Sequence, residues 1–127
     1  MRPNIRGATL SIIVAGVIGV SSSAGYAQTF PSRPVKLITD VGTGGTYDIF
    51  ARALGEELRK RWRVGVVVEP RPGGNAVIGT RACAEAPPDG YTLCILSNQG
   101  LVANEFLYKT LPYSRDSFSP IMGVVSR

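Results

Sequence analysis

Apolar residues in this chain come in short runs separated by breaks rich in glycine, proline and small polar residues. Val35-Lys36-Leu37-Ile38-Thr39 reads as a strand, and Asp40-Val41-Gly42-Thr43-Gly44-Gly45 as the turn leaving it. From Tyr47 to about Arg61 the period becomes helical. Ile49, Phe50, Ala53, Leu54 and Leu58 share one face, while Arg52, Glu56, Glu57 and Lys60 lie mostly on the other. Thr46 is placed to cap this helix, with Asp48 in its first turn, where the helix dipole favours a negative charge. Val64 to Glu69 is a continuous β-branched run, as in a strand covered on both faces. A turn at Pro70–Asn75 leads to a short helix over Ala76 to about Ala86. Pro87-Pro88-Asp89-Gly90 is a turn, Tyr91–Leu96 a third strand, and Ser97-Asn98-Gln99-Gly100 the loop after it. A helical stretch near Ala103–Tyr108 stops at Leu111-Pro112-Tyr113, and Phe118–Val125 begins a fourth strand.

Alternating strands and helices imply an α/β fold, a parallel sheet with flanking helices and right-handed crossovers. Ligands of such sheets bind outside the carboxyl ends of the strands. Here the loops at Asp40–Thr46, Pro70–Asn75 and Ser97–Gly100 leave those ends, and they form the expected walls of one pocket. The first loop aims unpaired N–H groups and the positive end of a helix dipole at one spot, a general anion-binding device. It is not a dinucleotide fingerprint, because Tyr47 stands where the third glycine is needed, nor a P-loop, because no Lys-Ser/Thr pair ends the turn.

Ahead of the first strand, Met1-Arg2 and Arg6 form a basic head, Ala8–Val20 an apolar run and Ser21–Ala27 a small-residue stretch with Gly25 and Ala27 at the −3 and −1 places. This reads as a secretory signal peptide over 1–27, cleaved after Ala27, with an exported, periplasmic chain from Gln28. The whole chain has 127 residues and a net charge of +5, which becomes +3 once Arg2 and Arg6 are removed. Most of that excess is Arg59-Lys60-Arg61-Trp62-Arg63, read as a basic last helical turn and not as a nucleic-acid patch. There is no histidine, so the commonest general base and metal ligand is missing; no metal, no cofactor and no catalytic residue is expected. Cys83 and Cys94 are either an exported disulfide or two buried thiols.

Taken in order, the segments carry a resemblance. Phe30-Pro31-Ser32-Arg33-Pro34-Val35-Lys36-Leu37-Ile38, Gly44-Gly45-Thr46-Tyr47-Asp48 with Ala51-Arg52, and Val66–Gly73 followed by Gly74-Asn75-Ala76-Val77-Ile78-Gly79 all fit one pattern. So do Pro88-Asp89-Gly90-Tyr91-Thr92-Leu93 and Leu107–Tyr113. The chain resembles the Bug family, periplasmic solute receptors of tripartite tricarboxylate transporters. The resemblance implies the first domain of a type II periplasmic-binding-protein-like fold, incomplete here, with 28–127 forming part of the N-terminal lobe. It implies a small carboxylate as ligand, membrane transporter subunits as partners, and binding without catalysis. Carried onto this chain, the ligand-binding positions are Gly44, Gly45, Thr46 and Asp48, then Gly74 and Asn75, then Ser97 and Asn98. The alternative is a stand-alone exported module that pairs through its open cleft or sheet edge. Asp40 departs from the pattern, since the family usually has proline there. A carboxylate at that position, pointing inward, would repel a carboxylate ligand or select a cationic one.

Overall fold

The computed structural model of the protein describes residues 29–124. The leader expected over 1–27 lies outside them. Three strands form one parallel sheet in the order β2-β1-β3: β1 (Val35–Thr39), β2 (Val66–Pro70) and β3 (Thr92–Ile95). Thr39 at the end of β1 stands level with Pro70 on one side and Ile95 on the other, so all three strands end together. The expected class, an α/β parallel sheet with flanking helices, is the one observed.

The helices follow from this order. α1 (Thr46–Trp62) joins β1 to β2, and α2 (Val77–Ala84) joins β2 to β3. The first connection steps to one side of β1 and the second steps back across it. Right-handed crossovers then put the two helices on opposite faces. β1, central and covered, is buried at Val35, Leu37, Ile38 and Thr39. β2 is an edge strand with Val67 56% exposed, so the run of valines belongs to a strand covered on one face only.

α1 faces the sheet through small residues. Ala51 and Gly55 are buried against it, and Ala51 packs with Leu37 and Ile95 in the core. A side chain at position 55 would stand 3.3 Å from Val68 and 3.5 Å from Val66, so glycine lets the helix lie close. Tyr47, Phe50 and Leu54 flank this contact. Ile49 and Ala53, expected on the inner face, are exposed, because the contact is centred on the small residues. The helix ends at Arg63 in the left-handed conformation, and Arg59 and Lys60 pair with Glu56 and Glu57 one turn back. The basic cluster is therefore largely a helix end with internal ion pairs.

After β3 the chain enters a π-helical turn (Gln99–Ala103) that continues into α3 (Asn104–Leu107). The fourth strand expected over 118–125 is absent from the described part of that segment, which runs beside the sheet without joining it. Its residues 118–124 instead help line an apolar cleft of about 1400 Å³ with Phe50, Leu54 and Leu93.

Cys83 of α2 and Cys94 of β3 form a disulfide, with Cα atoms 6.3 Å apart. The bridge pins the crossover helix to the strand it feeds. Among the described residues no cysteine is free, so the unfolded, non-reduced protein is expected to titrate no thiols. Replacing both cysteines by alanine should lower unfolding stability by about 2–3 kcal/mol, read as a reduced urea midpoint with little change in slope.

Candidate functional site

The loop after β1 is organised by an acid at the head of α1. Gly44 adopts φ 85°, a conformation that suits glycine, and its amide donates to Asp48 Oδ2 at 2.9 Å. Arg52, one turn on, donates to the same carboxylate at 3.0 Å. These donors hold the Asp48 carboxyl below its ordinary range, the Arg52 guanidinium first and the Gly44 amide second. Asp48 is buried, and its carboxylate ties the loop to the first turns of the helix. The N-cap is Gly45 and not Thr46, and no side chain caps this end. Thr46 opens the helix and is exposed. The start of α1 therefore presents N–H groups with no side-chain acceptor, at the positive end of a 17-residue dipole.

The loop after β2 turns into α2 through consecutive left-handed residues: Gly74 (φ 56°), Asn75 (56°) and Ala76 (70°). The last two are costly for residues with side chains. Asn75 is held by Asn104, which is fully buried. Its Oδ1 accepts from Asn75 Nδ2 at 3.2 Å and from Gln99 Nε2 at 2.8 Å. Its Nδ2 donates to the Asn75 carbonyl at 2.9 Å and lies 3.3 Å from the Tyr113 hydroxyl, which itself donates to the Gly100 carbonyl at 2.7 Å. Every hydrogen-bonding position of Asn104 is used, and the loops after β2 and β3 are tied to one another through it. Neither Asn104 nor Gln99 stood out in the sequence. A lone asparagine near a helix start reads as a cap, and only the fold shows that it is buried.

The loop after β3 is tied to β1. Asp40 directly follows β1 and is 2% exposed. Its carboxylate accepts from the Ser97 amide at 2.9 and 3.0 Å and from the Ser97 hydroxyl at 2.8 Å. Thr80 approaches at 3.4 Å, but its one hydroxyl proton has a closer acceptor, the Ala76 carbonyl at 2.8 Å. Ser97 is therefore the main partner of the carboxylate. Burial pushes the Asp40 carboxyl above its ordinary value, and the Ser97 amide and hydroxyl pull it part of the way back.

The eight predicted positions thus separate into two kinds. Gly44, Gly45, Thr46, Gly74, Asn75 and Asn98 are exposed on the three loops at the carboxyl end of the sheet. Asp48 and Ser97 are buried, with their polar atoms used inside the protein. Asp40 does point inward, as a hydrogen-bonded strut between two loops. Arg71, beside the prolines of the second loop, pairs with Glu69 on the exposed edge.

Asp40 gives a signed pH dependence. Its folded pKa lies above the unfolded value, so the native state binds the proton more tightly. That contribution is complete below the unfolded pKa, near 4, and is lost as pH rises through the folded pKa. Asp40→Asn should remove it, so the stability of the variant minus that of the parent should grow with rising pH and then level off in urea titrations. Asn104→Ala empties a fully buried site and unpairs the part-buried groups of Asn75 and Gln99, and should cost about 2–4 kcal/mol. Tyr113→Phe, which removes only the hydroxyl, should cost about 1 kcal/mol in the same assay.

Comparison with known proteins adds an independent line. Residues 50–127 match the family described as the tripartite tricarboxylate transporter family receptor. The chain is 39% identical over 123 residues to a UPF0065 protein of Bordetella bronchiseptica, covering 95% of this chain and 37% of that protein. It is 39% identical over 88 residues to BugT of Bordetella pertussis, covering 68% of this chain and 27% of that one. Among solved structures, a periplasmic transporter matches with a TM-score of 0.65 at 33% identity, covering 68% of this chain and 29% of that one. The R. palustris protein Rpa4515, solved with adipate, matches with a TM-score of 0.65 at 30% identity, covering 68% of this chain and 29% of that one. The chain spans about a third of the length of the curated relatives it matches. It belongs to the receptor family of the tripartite tricarboxylate transporters.

Proposed function

We propose that this chain is part of the N-terminal lobe of an exported receptor that holds a small carboxylate in the periplasm, without chemistry, for a membrane transporter of the tripartite tricarboxylate type. Residues 1–27 are its leader and 28–127 the lobe. The observation that carries the reading is the uncapped start of α1 among three loops that leave parallel strands on one side of the sheet. A carboxylate supplies the acceptor that this helix end lacks, at the end where a negative charge is favoured. The exposed loop positions Thr46, Asn75 and Asn98 offer further polar groups, while Gly44, Gly45 and Gly74 leave room for a close approach. The adipate in the structure of Rpa4515 supports a dicarboxylate as the class.

A serine beside a carboxylate can suggest a nucleophile with its base. Ser97 does donate to a carboxylate, but both are buried, and its hydroxyl oxygen also accepts from the Gly100 amide at 3.2 Å. A second reading, an exported module that pairs with another chain, is favoured by the apolar cleft under residues 118–124 and by the exposed edge of β2. Size-exclusion chromatography separates the two, since a discrete dimer of 28–127 supports the module.

One lobe provides one wall, and receptors of this kind bury their ligand by closing two. Adipate titrated into 28–127 is therefore expected to bind weakly, with Kd about millimolar. Amide shifts should be confined to residues 44–48, 74–75 and 98. Shifts centred on the basic end of α1 would overturn the site assignment, and a Kd at or below micromolar from calorimetry would overturn the expectation of weak, one-walled binding.

A further inference from the structure

The strand order reverses beside β1: the chain leaves β1 toward β2 and later returns on the other side as β3. At such a reversal the loops following the two strands diverge, and the crevice between them is where open α/β sheets hold their ligands. Here the crevice between the β1 and β3 loops is closed by a side chain. The Asp40 carboxylate reaches across it and takes the Ser97 amide and hydroxyl. The space it fills is shaped for a carboxylate. A side chain at Gly100 would collide with Thr80 Oγ1 and stand 2.6 Å from Asp40 Oδ2. One at Gly79 would stand 2.5 Å from the Asp40 Cα and 2.7 Å from the Arg71 carbonyl. Gly100 therefore makes room for the carboxylate and Gly79 for the backbone that carries it, and the Ser97 amide and hydroxyl receive the group.

We propose that Asp40 is a built-in occupant of this crevice: a carboxylate supplied by the chain itself, seated where a ligand's carboxylate could otherwise enter. It is thereby a specificity-determining residue. It removes Ser97 from contact with any ligand and confines binding to the start of α1 and the exposed faces of the Asn75 and Asn98 loops. The consequence for specificity rests on the carboxylate-receptor reading, whereas the occupied cradle rests on the geometry of this chain alone.

Chemical rescue tests the cradle. Asp40→Ala removes the carboxylate and leaves a space for a one-carbon carboxylate, so the variant should melt at a lower temperature than the parent in sodium chloride. Replacing chloride by formate at equal ionic strength, at about 0.1–0.5 M, where even a weak site of tens of millimolar Kd fills, should restore at least half of that loss. The gain should saturate with formate. The parent and Asp40→Asn, whose cradles are filled, should gain no more from formate than from chloride. An Asp40→Ala protein that folds and gains nothing specific from formate overturns the proposal. If that variant is unfolded in both salts, the parent decides. The Ser97 amide resonance must then shift with the ionisation of a carboxyl, and that shift must vanish in Asp40→Asn; a Ser97 amide that does not titrate overturns the proposal. None of these readings requires the parent to bind an external ligand, so a failure of the receptor assignment is seen separately in the adipate titration.

Discussion

The pairing of β1 on both sides, in parallel, is the constraint on which the remainder of this structure depends. A strand flanked in this way has both edges and both faces covered, which is why Val35, Leu37, Ile38 and Thr39 are buried while the edge valine Val67 is not. Parallel neighbours cannot be reached by a hairpin, so each connection must carry a crossover. With β2 and β3 on opposite sides of β1, the two crossovers cover opposite faces. All three strands also end level, and the loops that matter emerge together.

From that geometry, two kinds of polar group acquire different roles. Those on the outer parts of the loops stay available, as at Thr46 and Asn98. Those at the base of the loops are enclosed by α2 and the π-helical turn and must be satisfied internally. Asp40, Ser97, Thr80 and Asn104 are all buried, and no buried side-chain polar atom among the described residues lacks a partner. Loops rich in glycine have little apolar surface with which to fix their own shape. Here buried hydrogen bonds do it, from Asp48 to the first loop and from Asn104 to the second and third.

Much of this was legible in the sequence, and the misses share a cause. The three strands, two main helices and three loops follow from local pattern and turn chemistry. The errors arise where tertiary position overrides pattern. Ile49 and Ala53 fit an apolar helical stripe, yet the helix turns its Ala51–Gly55 face inward, where the small residues let it lie close to Val66 and Val68. Val64–Glu69 reads as a strand covered on both faces, but strand order, which no local window encodes, puts it at an edge with Val67 exposed. Thr46 has the composition of a cap, while Asp48 takes the loop amide from further inside the helix. Asn104 had no signal at all, since its role lies in meeting Asn75 from 29 positions away along the chain, and Gln99, legible only as a loop residue, acts by donating to Asn104.

Asp40 shows why residue type alone does not settle a site. In the sequence it is a negative charge beside a proposed carboxylate site, and Coulomb repulsion is the natural inference. In the structure its charge is countered by donors on the far loop, so the question becomes whether those donors offset the loss of water. Their pull on the carboxyl is real but smaller than the push of burial, which leaves its pKa raised. The strut therefore carries a cost in its charged form, and a neutral isostere would hold the same two loops with less of it.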